Sequence, residues 1–455
     1  MIKDSIKDYG VDNIGCLISP QSTNEELFLF QKLFRGLGIN NLDHRTNECD
    51  FSYQNHYPIM PSLGCNIADL NSYENIVLVG VNIKSEFPIL SIWLNQAVKS
   101  NTKIYSINFD ASNEDFELFY KKTIDNKELV SLFLNKDSDL SLDKNQKTLV
   151  IIGPSISRLF NQSDVLSVIH KFCINTNARM GFLTNDCNST GAWITGNVPH
   201  RGLAGNPMKK VGLNSSEMLS KKLSSYVLFN LEPELDFHDS GLLEESLKES
   251  KCNIIFTNYI TPIIEKYADI VIPISTFAET KGSFINIEGK EQSFQNIVKC
   301  DKNIFEGWSI LNQIIIANDL GSYEYDSIRD SLAKSLDDKD YTSFDLSSHQ
   351  LTEEYDNNNT IFVLTKRHIY QSDSIVKRSE SLKMTKQSEF NTIFISENLQ
   401  DQIHQSGTLI LNGFNMDNLS DKFTVNKKLS NNTIIFPSSD YMYKGPKSSN
   451  VEFQS

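Results

Sequence analysis

"NIVLVGVN", residues 75–82, has four consecutive apolar side chains between Asn75 and Gly80. A strand with one face in water alternates apolar and polar residues. A run apolar at every position is buried on both faces, as in a parallel sheet covered by helices. The same texture recurs in "IGCLIS" (14–19), "KIYSI" (103–107), "TLVIIG" (148–153), "RMGFL" (179–183), "YVLFN" (226–230), "NIIFT" (253–257) and "DIVIP" (269–273). Helical segments lie between these runs. In "TNEELFLFQKLFRGLG" (23–38), Thr23 and Glu26 form a capping box, and Leu27, Phe30, Phe34 and Leu37 share a face. Gly36 and Gly38 end that helix. Strand and helix alternating this often give an α/β fold with crossovers. About eight strands exceed what one small doubly wound sheet holds, so two α/β domains are expected.

After residue 320 the texture changes. "DSIRDSLAKSLDDKDYTSF" (326–344) is charged and helical, and "EEYDNNNT" (353–360) reads as a polar linker. The short runs "TIFVL" (360–364), "NTIFI" (391–395), "GTLILNGF" (407–414) and "NTIIFP" (432–437) predict a small, mainly β C-terminal unit.

The 455 residues carry 43 Lys and Arg against 57 Asp and Glu, a net charge of −14. That balance excludes general binding to nucleic acid or anionic membrane, which needs clustered cations, and suits protein partners. No apolar run is long enough to span a bilayer, and "MIKDSIKDYG" (1–10) has no signal-peptide core. A cytoplasmic location, or attachment to a membrane through partners, is expected. The seven cysteines, Cys16, Cys49, Cys65, Cys173, Cys187, Cys252 and Cys300, form no C-x-x-C, and the eight histidines form no H-x-x-x-H. No zinc ribbon or ferredoxin-type cluster is expected in this chain.

Ligands of α/β sheets sit at the C-terminal ends of strands. Gly80 and Gly153 follow strands there, where glycine either lets a backbone approach a phosphate or makes a tight turn; the tight turn is the stronger reading. Glu232 and Glu234 follow another strand, placed to hold a ribose hydroxyl or to sit at a helix N-terminus. "LTNDCNSTGAWITG" (183–196) is either a backbone cradle for a phosphate or an ordinary surface loop.

"FAETKGSFINIEGKEQSF" (277–294) is more specific. Its pattern of Glu279, Gly282, Ser283, Asn286, Glu288, Gly289, Lys290 and Gln292 resembles the E-x-x-G-T-x-x-N-x-E-G-R-x-Q signature of the molybdopterin oxidoreductase superfamily. In those enzymes this strand and turn lies against the pterin-dinucleotide cofactor. "ISPQSTNEELFLFQKLFRGLGINNLDHR" (18–45), "LGCNIADLNSYENIVLVGVNIKSEFPIL" (63–90), "FNLEPELD" (229–236) and "IYQSDSIVKRSESL" (369–382) are similar to the large iron–sulfur subunit of respiratory complex I, the NADH–quinone oxidoreductase.

The resemblance implies a formate dehydrogenase/DMSO reductase-like fold of two discontinuous doubly wound α/β domains plus the small β unit. The first domain would combine 1–62 with 210–345, the inserted second would span 63–209, and linker and β-rich unit would fill 346–455. It implies partners among the peripheral-arm subunits of complex I, including the NADH-binding flavoprotein, and a place on the inner face of the cell's inner membrane. The iron–sulfur clusters of that large subunit lie on an N-terminal portion that this chain lacks. No cofactor is then expected here, and the hairpin residues Glu279, Gly282, Ser283, Asn286, Glu288, Gly289 and Gln292 would form a vestigial pterin loop with a structural role. The alternative is a formate dehydrogenase-like fragment that binds molybdopterin. "NLDHRTNECDF" (41–51) resembles the segment carrying the metal ligand in formate dehydrogenases, with Cys49 near the ligand's place. Asp50 beside it opposes a thiolate, and Lys290 lacks the planar fork of the family's arginine. No metal is expected.

Overall fold

The computed structural model describes residues 2–110, 114–134, 140, 142–335, 341–351, 361–366, 370, 374–385, 393–400, 410–411, 414–415, 423–437 and 448–451. Strands are numbered in chain order. The chain divides into two compact units, residues 1–62 with 184–344 and residues 63–183 with 345–455.

The first unit is built on β1 (Ile14–Ile18), β2 (Leu42–Asp43), β8 (Ser225–Phe229), β9 (Cys252–Thr257) and β10 (Ile270–Pro273), in the order β10-β9-β8-β1-β2. Every pairing is parallel. From β1 the chain winds to β2 on one side; from β8 it winds through β9 to β10 on the other. The direction reverses between β1 and β8, and that is the switch point of the sheet.

The helix Asn24–Gly36 leaves β1 with its capping box intact: the Thr23 amide donates to Glu26 at 2.9 Å, and the Glu26 amide donates to the Thr23 hydroxyl at 3.2 Å. It stops in a Schellman turn, with Ile39 donating to the Phe34 carbonyl and Gly38 to Arg35, Gly38 taking φ +85°. Burial is wider than the one expected face. Asn24 to Gln31, Leu33 and Phe34 are all buried, because the helix Gly307–Ala317 and the hairpin described below cover its other sides. Phe30 meets Phe34 and Phe229 at ring-centroid distances of 4.6 and 5.8 Å, and Phe229 meets Phe256 at 5.3 Å. Each such ring contributes roughly 1.5–3 kcal/mol by burial.

The second unit contains β3 (Asn75–Val79), β4 (Lys103–Asn108), β5 (Tyr120–Thr123), β6 (Thr148–Ile152) and β7 (Arg179–Phe182), in the order β5-β4-β3-β6-β7. These pairings are also all parallel, and the switch point falls between β3 and β6. A mixed sheet follows in the same unit, ordered β17-β14-β18-β13-β19, from β13 (Ile361–Lys366), β14 (Ile393–Ile395), β17 (Phe423–Val425), β18 (Thr433–Pro437) and β19 (Ser448–Val451). A small antiparallel pair, β15 (Ile410–Leu411) and β16 (Phe414–Asn415), lies between β14 and β17 in the chain. The 353–360 linker and parts of 407–414 lie outside the described residues.

Two boundaries differ from the sequence reading. Residues 184–209, expected in the inserted domain, belong to the first unit. The physical reason is polar. Arg35 donates to the carbonyls of Gly196, Val198 and Arg201 at 2.8–2.9 Å, and Asn188 donates to Ser22 at 2.7 Å. The C-terminal sheet, expected as a separate unit, groups with the inserted sheet, where Phe362 meets Phe109 at 5.5 Å.

Candidate functional site

The signature segment folds as an antiparallel hairpin of β11 (Gly282–Ile285) and β12 (Glu291–Phe294). It sits at the C-terminal end of β1, against the first turn of the helix Asn24–Gly36. The Ser283 amide and hydroxyl donate to Glu25 at 2.9 and 3.0 Å, and Asn24 donates to the Ser283 hydroxyl at 3.1 Å. Ser283 is fully buried. Gly282 lies so close to Thr23 that a Cβ would overlap the threonine methyl. Its role is close approach rather than turn geometry.

The Ile285 amide donates to Asn188 at 2.8 Å, and Asn188 in turn donates to Ser22. The stretch 184–196 is therefore no ordinary surface loop. Its helix Ser189–Ile194 is buried at every residue, and Asn188 ties the hairpin to the turn after β1.

The remaining signature residues serve the hairpin itself. Glu279 accepts the amide and hydroxyl of Thr276, both at 2.9 Å. Asn286 accepts the amides of Glu288 and Lys290, both at 3.0 Å, which closes the turn with Gly289 at φ +78°. Lys290 pairs with Glu288 at 3.2 Å, and Gln292 is exposed on β12.

Below the hairpin is a cluster that sequence reading missed. Glu25, Glu26 and Glu306 converge with Lys281, Trp308 and Tyr325. Glu306 accepts the Lys281 amide at 3.2 Å and the Trp308 indole N–H at 2.9 Å. The Lys281 ammonium stands 3.8 Å from the Tyr325 ring centroid. Burial raises Glu25, against hydrogen bonds from Ser283 and Tyr325, and pushes Glu26 up to about 7, against its bonds from Thr23. A carboxylate at N2 or N3 of a helix is a common signal, but its partner on a strand some 258 residues away is invisible in sequence.

Cys49 follows β2 in a crowded stretch. Arg45 grips Asp43 through Nε and Nη2, both at 2.8 Å and both side chains fully buried. The guanidinium also covers Phe51 at 4.6 Å and Trp193 at 5.1 Å. Tyr53 donates to Glu48 at 2.9 Å, and burial pushes Glu48 up to about 7. His44 lies against the Asn197 carbonyl at 2.9 Å, and burial drives it down to about 4. Cys49 is half-buried between Glu48 and Asp50. Among the described residues no three His, Cys, Asp or Glu side chains gather as a metal site.

In the second unit the two glycines flagged from sequence face each other at the switch point. The Gly153 amide donates to Val79 at 2.8 Å, and a Cβ on Gly153 would overlap the Gly80 carbonyl. They make a tight backbone crossing. Beside them a pocket of about 40 Å³ is lined by Asn82, Asn108, Ser155, Arg158 and, from β13, Leu364 and Thr365. It has room for roughly three waters. Glu234 accepts the Ile263 amide at 2.9 Å and so sits at the N-terminus of the helix Pro262–Tyr267. Glu232 precedes the short helix Pro233–Asp236 and is buried.

Two parallel doubly wound sheets and the hairpin signature define the class. A family model described as molybdopterin oxidoreductase matches residues 1–316, and the chain belongs to that family. Within it, the chain is similar to two groups. It is 22% identical to the NADH-ubiquinone oxidoreductase 75 kDa subunit of Reclinomonas americana, over 61% of this chain and 36% of that protein. It is 21% identical to an NADH-quinone oxidoreductase subunit of Rickettsia felis, over 73% and 46%. It is 21% identical to the alpha subunit of F420-dependent formate dehydrogenase 2 of Methanococcus maripaludis, over 69% and 58%. The chain thus spans between about a third and three-fifths of these relatives. Acetylene hydratase from Pelobacter acetylenicus shares the fold, with a TM-score of 0.62 and 10% identity over 98% of this chain and 82% of that one.

The family's cofactor is a pterin dinucleotide. Ser283, Glu279 and Asn286 spend their polar atoms inside the chain, and Gly282 is closed against Thr23.

Proposed function

We propose that this chain is the molybdopterin-oxidoreductase-like scaffold portion of the large iron–sulfur subunit of an NADH–quinone oxidoreductase, with no redox centre of its own. One observation carries the reading. The signature hairpin, beside the turn after β1, spends buried polar groups on Glu25 and Asn188 of its own chain. Polar groups engaged in this way support architecture rather than a ligand. The similarity to complex I subunits supports the same reading and suggests neighbours in the peripheral arm, including the NADH-binding flavoprotein. Among the described residues no helix is long and apolar enough to cross a membrane. On this reading the chain sits on the inner face of the inner membrane through those neighbours, and the iron–sulfur clusters lie outside it.

The chain's work is then mechanical. Buried, hydrogen-bonded polar junctions specify one arrangement of strand, helix and hairpin at the cost of tolerance to change. The test is isolation of the tagged chain from detergent-solubilised membranes of its own cells. Co-isolation with NADH-dependent quinone reduction supports the reading, and its recovery with formate oxidation supports the other.

That second reading is a formate dehydrogenase-like portion binding molybdopterin. The formate dehydrogenase alpha subunits, as similar as the complex I subunits, favour it, as does Cys49 after β2.

A further inference from the structure

Residues 345–349 are joined by polar contacts to one face of the helix Gln162–Thr176, all within the second unit. Asp164, Ser167, His170 and Lys171 share that face by their spacing of three and four. All four engage the segment. The Ser167 hydroxyl donates to the Leu346 carbonyl at 3.3 Å, and the Lys171 ammonium donates to the His349 carbonyl at 3.1 Å. The Leu346 amide donates to His170 Nδ1 at 3.3 Å, and His349 Nε2 meets Asp164 Oδ1 at 2.7 Å. Leu346 itself is buried between these bonds.

The two histidines make opposite demands on the proton. His170 accepts an N–H at Nδ1, so that nitrogen must carry no proton. His349 faces a carboxylate whose side chain is 3% exposed, so its Nε2 must carry the N–H that donates. Around His170, Asp345 on the segment favours the proton and Lys171 on the helix opposes it. The helix Asn126–Leu134 packs on the same helix through Phe133 against Phe172, at 5.2 Å. Burial above all, with Lys171 adding to it, holds His170 below its ordinary value.

We propose that residues 345–349 form an acid-released clasp that fastens the C-terminal part of the chain to the helix Gln162–Thr176. Above the release point, neutral His170 accepts Leu346 while His349 donates to Asp164. Below it, a proton on His170 Nδ1 points at the Leu346 amide. Two donors then face each other and the segment lifts. The chain beyond the clasp supplies β13, whose Leu364 and Thr365 wall the small pocket beside Gly80 and Gly153.

The test is amide hydrogen exchange by mass spectrometry on the full chain at pH 7.5 and 5.0, with intrinsic rates corrected for pH. Peptides covering 345–351 should lose roughly tenfold of their protection at the lower pH, the equivalent of one hydrogen bond. In His170→Asn, whose Oδ1 accepts in the place of Nδ1 but does not titrate, protection should be kept at both values. In Asp164→Asn it should fall at both. Unchanged protection of the wild type between the two pH values would overturn the proposal, as would an acid loss that persists in His170→Asn. Should His170→Asn fail to fold, NMR titration of His170 in the wild type decides. Protonation accompanied by loss of the Leu346 amide's protection supports the clasp, and protonation without it overturns it.

Discussion

Glu25 accepts both the amide and the hydroxyl of Ser283, at 2.9 and 3.0 Å, and so joins the helix Asn24–Gly36 to a hairpin 258 residues later. Removing the hydroxyl leaves one oxygen of a buried carboxylate short of a donor. Ser283→Ala should lower stability by about 1–3 kcal/mol. Urea unfolding with an unchanged slope would register it as a shifted midpoint. A midpoint equal to wild type would mean the contact carries no weight.

Gly282 and Gly153 test close approach in the two units separately. A Cβ at Gly282 overlaps Thr23, and one at Gly153 overlaps the Gly80 backbone. Gly153→Ala should cost more, because a carbonyl yields less than a side-chain methyl. Overpacking typically costs about 1–3 kcal/mol, and Gly153→Ala belongs at or above the top of that range. Thermal melts of the two variants give the order directly.

Arg45→Met leaves Asp43 ionised and buried without its partner. The expected loss is about 3–5 kcal/mol. Arg45→Lys should recover only part of it, since an ammonium can neither fork onto the carboxylate nor cover Phe51 and Trp193 as a plane. Full recovery by lysine, seen as equal melting temperatures, would contradict the geometry.

The buried acids and histidines pull stability in opposite directions with pH. Burial holds Glu48 at about 7 and Glu26 at about 7, above the ordinary 4.5. The native state therefore keeps protons that the unfolded chain has released. This contribution is fully present below pH 4.5 and is lost as pH rises through 7. His44 is held near 4, below its ordinary 6.5, so its contribution is lost as pH falls from 6.5 toward 4. Glu48→Gln keeps an acceptor for Tyr53 and does not titrate. Its melting temperature should fall less than that of wild type between pH 5 and 8, by an amount worth about 3 kcal/mol. Parallel melting curves for the two proteins would rule out the buried ionisation.

Much of this architecture is written plainly in the chain. The eight continuous apolar runs are all strands of the two parallel sheets; the inner ones are covered on both faces and have few polar positions to interrupt them, while the edge strand β10 is exposed at alternate residues. The two missed strands are edges. β2 has only two residues, and β5 is Tyr120-Lys121-Lys122-Thr123, polar because its face is half exposed. The hairpin was legible as a motif, yet its partners were not. Glu25 and Asn188 look like ordinary polar residues until folding brings them to Ser283 and Ile285, and Tyr325 does so until it meets Glu25 and Lys281. The same blindness moved the domain boundary, since 184–209 is held to the first unit by Arg35, Asn188 and backbone carbonyls rather than by an apolar stripe.

The central proposal is that the hairpin bonded to Glu25 and Asn188 serves architecture and that the chain holds no pterin. Metal and pterin analysis of the purified, folded chain tests it most directly, by elemental measurement of molybdenum, tungsten and iron with a fluorescence assay for released pterin. The account predicts no stoichiometric metal and no pterin. One molybdenum or tungsten per chain, released together with a pterin, would contradict it and make Cys49 the first residue to substitute.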